Sequence, residues 1–423
     1  MIMADLFIRG ATLQGRTVDV LVEGGVVLDV LAHDPARCIE AAQVRDAAGL
    51  VLLPSLVDVH VHLREPGLEY KETIATGLTA AAHGGFGRIC CMANTKPVND
   101  AGAVTAFMLG QAKKSHPNGP WLHPIGALTM GLKGQDMAPL AELAEAGCVA
   151  FSNDGLPVLD SERFRRAMEY AADLGKMVID HCEDPFLAPG TGVNESALTA
   201  RMGLKGQPSV GEAAQVARDV LLAGYLKLPV HIAHVSCREA VELIAWAKAK
   251  GVDVTAETCP HYLCYTQDAV RGYNTLAKVS PPLRGEDDRL ALIQAVNEGV
   301  IDFLATDHAP HAMHEKEHPF EEAPNGISWL DTALAKCWEL VRAGVIGEER
   351  FVMAASTGPG ERFGLGVNRF RPGDPADIVL FDPDAVWTVT PEALHSKGKN
   401  ALCLGETLRG RVVAHYLAGV AVI

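Results

Sequence analysis

The chain has 423 residues, of which 48 % are hydrophobic and 21 % are charged, and it carries a formal net charge of −15. That hydrophobic fraction excludes a disordered or fibrous protein. The negative charge, with no Lys/Arg stripe against it, argues against nucleic acid as a partner because phosphate backbones are repelled. No apolar stretch approaches the ~20 residues that cross a bilayer. The ten cysteines are scattered without a CxxC motif, so we expect a soluble cytoplasmic protein with reduced thiols.

The two ends of the chain predict short β-strands. Residues 6–9, 17–23 and 26–31 have the pattern of strands separated by glycine turns. Near the other end, residues 376–381 form an apolar run, and residues 410–423 predict a hairpin that turns at Ala418 and Gly419. We expect the two ends to meet in one small β-sandwich domain built from segments 1–54 and 363–423.

The middle of the chain alternates short apolar segments with longer amphipathic ones. The apolar segments, which predict strands, are residues 52–61, 88–93, 121–127, 148–152, 177–180, 230–233, 252–256 and 300–305. The amphipathic segments, whose apolar residues recur at helical spacing, include residues 162–174, 212–226, 238–250 and 289–298. This alternation favours an α/β fold, a (β/α)8 TIM barrel over residues 55–362. An open, doubly wound sheet is the alternative, but no GxGxxG turn follows an early strand.

Residues that can bind a metal stand at the ends of several predicted barrel strands. His60 and His62 close the first strand, and since residues i and i+2 of a strand share a face, both imidazoles can reach one ion. Later strands end in further candidate ligands, namely Asp154, His181, His234 and Asp307. The C-terminal ends of barrel strands converge on one site, so we expect these side chains to form a metal centre.

This ligand set is larger than one ion needs. A zinc ion commonly takes four ligands in tetrahedral geometry, whereas the candidates are four histidines and two aspartates. The surplus favours two ions about 3.5–4 Å apart, which would lower the pKa of a shared water and polarise a carbonyl group. Hydrolysis is the reaction class that such a centre supports.

Several short motifs together carry a resemblance to a known family. They are HVHLREPG (60–67), MANTKP (92–97), FSNDG (151–155), HCED (181–184), SPPLR (280–284) and ATDHAPH (305–311). In this order they resemble the signatures of dihydroorotases in the amidohydrolase superfamily, over nearly the whole chain. The resemblance is to the long, bacterial type I branch, in which an Asp replaces the carbamylated Lys that bridges the metals elsewhere in the superfamily.

The resemblance implies a function and a role for each matched residue. The function is reversible cyclisation of N-carbamoyl-L-aspartate to L-dihydroorotate in pyrimidine biosynthesis, with one or two zinc ions per subunit. The implied metal ligands are His60 and His62 for the first ion, His181 and His234 for the second, and Asp154 between the two. Asp307 would bind the first ion and, as the catalytic residue, carry the proton to the ring nitrogen. The implied substrate contacts are Arg64, Asn94 and His311 at the carboxylate, and Ser280, Asn325 and Gly326 elsewhere on the substrate.

Some positions depart from the family pattern. Asn153 stands where many relatives have an Asp, and because an amide bridges metals poorly, Asp154 must take that role. Ser280 replaces the Asn of many dihydroorotases, and Asn325 replaces the usual Phe before Gly326. Ser also occurs in relatives that act on other cyclic amides, so a hydantoinase, dihydropyrimidinase or allantoinase is the alternative enzyme. The carboxylate-binding pair Arg64 and Asn94 favours dihydroorotate more strongly.

A second alternative is a protein without catalytic activity. It is a silent dihydroorotase-like partner of aspartate transcarbamoylase, although such relatives typically lose metal ligands and this chain keeps the full set. For an active enzyme, the resemblance implies a homodimer that can form a complex with aspartate transcarbamoylase.

The remaining histidines and one charged loop have simpler interpretations. We expect His231 in the core, and His261 and His308 in structural or orienting roles. The histidines without a motif are expected at the surface or as caps: His83, His116, His123, His395 and His415. The charge run at residues 311–324 predicts a solvated loop. Its position directly after the eighth predicted strand makes it a candidate lid.

Overall fold

A computed structural model of the chain describes residues 4–187 and 190–423. The strands are β1 Ala4–Leu13, β2 Arg16–Glu23, β3 Val26–Ala32, β4 Ala41–Asp46, β5 Val51–Pro54, β6 Leu56–Val61, β7 Phe86–Cys91, β8 Trp121–Ala127, β9 Ala150–Ser152, β10 Met177–Asp180, β11 Val230–Ile232, β12 Val254–Thr258, β13 Phe303–Leu304, β14 Ile378–Thr388, β15 Thr407–Leu417 and β16 Val420–Ala421. The helices are α1 Ile74–Gly84, α2 Gly102–Ser115, α3 Leu140–Ala146, α4 Ser161–Asp173, α5 Ala197–Arg201, α6 Val210–Leu226, α7 Arg238–Ala249, α8 Pro260–Cys264, α9 Glu286–Glu298, α10 Met313–Lys316, α11 Ala333–Arg342, α12 Glu348–Val352 and α13 Gly358–Arg362. Short 3-10 turns lie at Met130–Leu132, Gln267–Val270, Thr275–Ala277 and Pro391–Ala393, and a π-helical turn at Met353–Thr357.

Capping residues define where helices of this chain begin and end. The carboxylate of Asp160 accepts hydrogen bonds from the first free N–H groups of α4, and this helix buries Phe164, Ala167, Met168 and Ala171 on one face. Helix α1 ends at Gly85, whose φ of 86° is the left-handed conformation that glycine adopts at little cost. None of the described helices is long and apolar enough to cross a membrane.

Both ends of the chain contribute strands to one mixed sheet, as expected. Its strand order is β16-β15-β14-β5-β1-β2-β3, and β4 pairs with β1. The C-terminal part joins the N-terminal part where β14 lies antiparallel to β5. The predicted hairpin is the β15–β16 pair, and its turn residues Ala418 and Gly419 have φ values of 46° and 75°. Positive φ at both positions is the backbone of a tight hairpin turn.

The predicted α/β barrel is confirmed. Strands β6 to β13 follow one another in chain order, and neighbouring strands are parallel. The two edges of this sheet meet where Val61 pairs with His308 and the His62 N–H donates to the His308 carbonyl at 2.8 Å. The sheet therefore curves into a nearly closed barrel, and the C-terminal ends of its strands face one cavity.

The predicted strand over residues 52–61 is two strands that belong to different sheets. Strand β5 pairs with β14 in the mixed sheet, and β6 opens the barrel two residues later. The chain changes sheets at Ser55, whose N–H donates to the Asp377 carbonyl while the next N–H, of Leu56, donates to Gly85. Both strands are almost wholly buried, so their joint sequence is one apolar run and hides the break. The division into segments 1–54, 55–362 and 363–423 remains our proposal.

We expect His415 at the surface or as a cap, and the surface alternative is wrong. This residue of β15 is fully buried where the mixed sheet packs on the barrel. Its Nε2 lies 2.8 Å from Ser55 Oγ, and its Nδ1 lies 2.9 Å from the Ala82 carbonyl of α1. Burial lowers the pKa of His415 to about 4, so the ring is neutral. The sequence around a single histidine in a strand does not show whether its side of the sheet is exposed to solvent or packed against another element.

Candidate active site

The C-terminal ends of the barrel strands surround a cavity of about 220 Å³. All the predicted site residues except His60 line it: His62, Arg64, Asn94, Asp154, His181, His234, Ser280, Asp307, His311, Asn325 and Gly326. His60 lies fully buried at its base. The structure therefore brings together every residue that the sequence nominated, from segments far apart along the chain.

Four histidines and two aspartates converge at the base of this cavity. His62 Nε2 lies 3.1 Å from Asp307 Oδ1, and His60 Nε2 lies 3.6 Å from the same oxygen. On the other side, Asp154 Oδ1 lies 3.3 Å from His60 Nε2 and 3.4 Å from His234 Nε2. Asp154 therefore stands between the two groups of nitrogen atoms.

His181 completes this cluster through its Nδ1 atom. That nitrogen lies 3.4 Å from Asp154 Oδ1 and 2.8 Å from His234 Nε2. The arrangement holds two overlapping sets of potential ligand atoms, His60, His62 and Asp307 in one and His60, Asp154 and His234 in the other.

The chemistry of this cluster fits a divalent metal ion. His60 Nε2 and Asp154 Oδ1 are buried and have no hydrogen-bond partner among the described residues. Neither Asp154 nor Asp307 pairs with a lysine or arginine in the described part of the chain. Burying carboxylates without a cation is costly, and imidazole nitrogens with carboxylate oxygens are the ligands of zinc. A bound cation would compensate the carboxylates and provide a partner for the two unpartnered atoms.

Both aspartates are charged. Burial would raise the pKa of Asp154, but His60 and its histidine neighbours hold it well below its usual range. Burial acts on Asp307 in the same direction, and the hydrogen bond with His62 and the charge of His60 outweigh it, so its pKa is also lowered. The two side chains are thus in the form that binds a metal ion.

Arg64 supplies a positive group at the cavity wall. Its side chain is 9 % exposed, and among the described residues it has no acidic partner within ion-pair distance. Its Nε donates to the Pro310 carbonyl at 3.2 Å, while Nη2 lies 3.5 Å from His311 Nε2. A buried guanidinium without a carboxylate partner, in a cavity, is suited to an anionic substrate. The geometry speaks against an ordinary structural ion pair for this residue.

Three site residues have strained backbones. Arg64, His234 and Asp307 have φ values of 63°, 34° and 46°, in the left-handed region that non-glycine residues seldom adopt. All three follow barrel strands, at the points where the chain must direct a side chain into the cavity. Such strain persists only where surrounding contacts maintain it, and it concentrates at functional sites.

Comparison with known proteins identifies the family. A family profile described as Dihydro-orotase-like matches residues 49–240. Dihydroorotases of Geobacter sulfurreducens and Trichlorobacter lovleyi are 47 % and 45 % identical to this chain over 407 and 403 residues. These alignments cover 96 % and 95 % of this chain and 95 % and 94 % of the two relatives. The chain belongs to the dihydroorotase family.

Structural comparison reaches further relatives in the amidohydrolase superfamily. The L-hydantoinase (dihydropyrimidinase) from Arthrobacter aurescens matches with a TM-score of 0.88 at 25 % identity, covering 99 % of this chain and 96 % of that structure. A D-hydantoinase matches at 0.81 with 23 % identity, over 99 % of this chain and 95 % of that one, which concerns the fold alone. The hydantoinases share the architecture, whereas the high sequence identity is with dihydroorotases. As a member of the dihydroorotase family, the chain is a cyclic amide hydrolase.

The first family departure has a structural explanation. Asn153 points away from the site: its Oδ1 accepts from the Thr129 N–H at 3.0 Å, and its Nδ2 lies 2.8 Å from Thr129 Oγ1. The neighbouring Asp154 points into the cavity. The amide that replaces the family's Asp therefore lies outside the candidate metal centre.

Asn94 and His311 have contacts beyond those that the dihydroorotase resemblance implies. Asn94 Oδ1 lies 2.8 Å from His62 Nδ1 and so orients that imidazole. The His311 Nε2–H donates to the Asn325 carbonyl at 2.8 Å, and its Nδ1 lies 3.2 Å from Lys71 Nζ. Burial and the charges of Arg64 and Lys316 hold the pKa of His311 well below its usual range, so the ring is neutral. In this geometry His311 supports Asn325 at the cavity wall.

Sequence reasoning missed the carboxylates behind the candidate ligands. His60 Nδ1 lies 2.7 Å from Glu257 Oε1, and Glu257 Oε2 lies 3.0 Å from His231 Nε2. This contact directs His60 Nε2 to the site, as carboxylates behind metal-binding histidines commonly do. His231 is buried in the core, as expected. The available signal was a charged residue, Glu257, directly after a segment that the alternation predicts to be a barrel strand.

A second missed carboxylate braces the strand ends. Asp58 accepts hydrogen bonds from the N–H and hydroxyl of Thr306, directly before Asp307, and from the His60 N–H at 3.1 Å. Burial raises its pKa to about 7, although these hydrogen bonds oppose the shift. Asp58 thereby connects the first barrel strand to the last at the candidate metal centre.

His261 and His308 lie beneath the site in the supporting roles that we expected. His308 Nδ1 accepts from the backbone N–H of Trp329 at 3.0 Å. His261 is fully buried, and its ring stacks on Trp329 at a centroid distance of 6.1 Å. Neither ring is among the side chains that line the cavity.

The solvated loop predicted for residues 311–324 is wrong in part. Lys316 and Phe320 are buried within it. Lys316 Nζ donates to the Pro324 carbonyl at 2.7 Å, and Lys278 Nζ donates to the Phe320 carbonyl at the same distance. Burial and the charges of Lys278 and Arg64 lower the pKa of Lys316 to about 7. A charge run gives no indication that one of its lysines turns inward to bind backbone carbonyls.

Proposed function

We propose that this chain is a zinc-dependent enzyme that interconverts N-carbamoyl-L-aspartate and L-dihydroorotate in pyrimidine biosynthesis. One observation carries the proposal: a buried arginine, without an acidic partner among the described residues, shares a cavity with a cluster of four histidines and two aspartates. The arginine matches a substrate carboxylate, and the cluster matches a metal-assisted attack on an amide. The identity with dihydroorotases over nearly the whole chain supports the same reaction.

The proposed metal ligands are those that the resemblance implied. They are His60, His62, Asp154, His181, His234 and Asp307, which could hold one zinc ion or two, with two favoured by the size of the set. When bound, zinc would lower the pKa of a water ligand towards neutrality and draw electron density from the ring carbonyl. The six side chains keep this chemistry at the base of the cavity.

The remaining proposed roles belong to the chain's own groups. Arg64, Asn94 and His311, which line the same cavity, bind the substrate carboxylate. Asp307 Oδ1 takes a proton during attack on the ring carbonyl and returns it to the departing ring nitrogen. Asn325 and Gly326 face the ring with Ser280, and His311 holds Asn325 in place. Together these contacts place the scissile amide over the metal centre.

The first experiment measures hydrolysis of L-dihydroorotate by the purified, zinc-supplemented protein without any partner. We expect turnover, and a loss of about 100-fold in kcat/KM in Arg64→Ala, since removing a buried charge-assisted contact costs about 3 kcal/mol. Arg166→Ala on the exposed face of α4 is the matched control and should keep full activity. Equal loss in both variants would contradict the role of Arg64.

A substrate panel separates the rival functions. Dihydrouracil and hydantoin lack the carboxylate, so Arg64→Ala should leave their weak turnover unchanged. Preference of the natural chain for these rings over dihydroorotate would favour a hydantoinase or dihydropyrimidinase, in line with Ser280 and Asn325. Metal analysis tests the silent alternative, since a protein without stoichiometric zinc and without turnover would be a dihydroorotase-like partner of aspartate transcarbamoylase.

The assembly and location of the protein are also proposals. We propose a cytoplasmic homodimer that can assemble with aspartate transcarbamoylase. Light scattering of the purified chain, alone and mixed with the transcarbamoylase of the same cell, measures the homodimer and the complex. A monomer that stays a monomer in the mixture would contradict them.

A further inference from the structure

Glu183 lies two residues after His181 and has no role in the function proposed above. Its side chain is 15 % exposed and reaches behind the cavity wall. Its Oε2 lies 3.2 Å from His181 Nε2, and its two oxygens lie 3.1 and 3.0 Å from Ser280 Oγ. It also accepts from the amide of Gln207. One carboxylate therefore contacts both a candidate metal ligand and a residue that lines the cavity.

The hydrogen-bond directions around Glu183 follow from its chemistry. A carboxylate can only accept, so His181 Nε2–H, the Ser280 hydroxyl and the Gln207 amide all donate to it. The orientation of Gln207 is set from its other side, where its Oε1 accepts from the Gly192 N–H at 2.6 Å. Glu183 is thus an acceptor for three donors, which a neutral glutamine could not be.

These directions decide what His181 and Ser280 present to the cavity. With its proton on Nε2, His181 directs the lone pair of Nδ1 towards Asp154 and His234. With its only proton donated to Glu183, Ser280 presents oxygen lone pairs to the cavity and can accept but not donate. The wall at Ser280 therefore suits an N–H group of a cyclic amide and disfavours a carbonyl oxygen.

We propose that Glu183 is a positioning and specificity-determining residue. It holds His181 in the tautomer that can bind a metal through Nδ1, and it makes Ser280 an acceptor that selects a ring N–H of the substrate. The proposal rests on the proposed function for the identity of the ring substrate. Its effect on His181 is independent of which ring is bound.

Glu183→Gln tests the proposal with almost no change in shape. The amide nitrogen that replaces one carboxylate oxygen faces either His181 Nε2 or the Gln207 amide, and Ser280 lies beside both positions, so the three donors can no longer all be accepted. We expect zinc affinity, measured by competition with a chromophoric chelator, to fall about 10- to 100-fold, as is typical for residues behind metal ligands. At saturating zinc we expect KM for L-dihydroorotate to rise about tenfold while kcat changes less. Unchanged zinc affinity and unchanged KM would overturn the proposal.

A double-variant cycle separates the two effects of Glu183. Ser280→Ala should raise KM and leave zinc affinity unchanged. Adding Glu183→Gln to Ser280→Ala should then lower zinc affinity without raising KM further, since the hydroxyl through which Glu183 acts is gone. A KM that rises equally in both backgrounds would contradict the action through Ser280. Glu162→Gln on the exposed face of α4 is the matched control and should match the natural chain in both measurements.

Two outcomes keep this test distinct from that of the proposed function. If the natural chain does not turn over dihydroorotate, the proposed function fails, while the zinc competition still tests the effect of Glu183 on His181. If Glu183→Gln does not fold, as judged by circular dichroism, Ser280→Ala decides the specificity: an unchanged KM overturns it, and a raised KM with unchanged zinc affinity supports it.

Discussion

Two clusters of buried acidic and metal-ligating residues lie on opposite faces of the same strand end. His181 points to the cavity cluster with Asp154 and His234. Its neighbours Asp180 and Cys182 face the other way, towards Asp219 of α6. Successive residues of an extended chain alternate between faces, so one short segment serves both clusters. Both have the composition of a metal site.

The difference between the clusters is the charge that compensates them. Arg218 Nη2 lies 2.9 Å from Asp180 Oδ2 and 2.7 Å from Asp219 Oδ1, so the outer cluster contains its own cation. The cavity cluster has no lysine or arginine partner for its carboxylates among the described residues, and two of its ligand atoms have no hydrogen-bond partner. Burial of acidic groups therefore indicates a metal site only where no lysine or arginine of the described residues pairs with them.

The strongest test of this comparison removes a carboxylate from the cavity cluster. Asp307→Asn should lower kcat for dihydroorotate by at least about 1000-fold, since it removes both a proton carrier and a metal ligand. The free energy of unfolding should change little, because the histidines beside Asp307 can release their protons once its charge is removed. Kinetics and urea unfolding measure the two effects. Asp253→Asn at the surface is the control, and retained activity in Asp307→Asn would refute the assigned role.

The opposite result is expected in the outer cluster. Arg218→Met leaves Asp180 and Asp219 buried beside each other and should lower the free energy of unfolding by about 3–5 kcal/mol. The zinc content of the folded fraction should be unchanged, because the cavity cluster does not use this arginine. Arg166 of α4 also contacts two carboxylates but is exposed, so Arg166→Met should cost less than about 1 kcal/mol. A similar cost in both variants would break the comparison.

The sequence predicted the candidate metal ligands and substrate contacts better than the residues that hold them in place. Metal-binding residues at strand ends predict their own convergence, because a parallel barrel gathers those ends in one place. The roles of Glu257, Glu183 and Asp58 could not be predicted in this way, since each acts through a partner that only the folded chain brings near. The inward turn of Lys316 and the sheet change at Ser55 were hidden for the same reason. Hydrophobic periodicity indicates the type and burial of a single helix or strand. The contacts of these residues depend on how two elements pack against each other, so periodicity does not predict them.

A third buried polar group sharpens the comparison with a smaller effect. His415 has hydrogen-bond partners at both ring nitrogens and, among the described residues, no carboxylate within ion-pair distance, and burial lowers its pKa to about 4 from 6.5. As pH falls below 6.5, His415 becomes protonated in the unfolded chain but stays neutral in the folded chain until about pH 4. The free energy of unfolding therefore falls over this range. This group alone should cost about 2 kcal/mol between pH 7.5 and 5.

Urea unfolding of the natural chain and His415→Gln at several pH values measures this contribution. The difference between the two stability curves should grow between pH 7.5 and 5 in the direction given above. His318→Gln, in the exposed part of the loop after β13, is the matched control and should follow the natural chain. Parallel curves for the natural chain and His415→Gln would show that His415 takes up a proton in the folded state.

The pairing of β5 with β14 has a consequence for folding of the chain during its synthesis on the ribosome. The two strands lie roughly 320 residues apart in the chain. At a synthesis rate of about 5–20 residues per second, the β5 edge emerges about 15 to 65 seconds before its neighbour exists. During that interval the whole barrel is translated, while an apolar strand with free backbone groups remains open to other nascent chains. The order of synthesis thus makes the N-terminal strands the part of this chain most in need of protection by a chaperone.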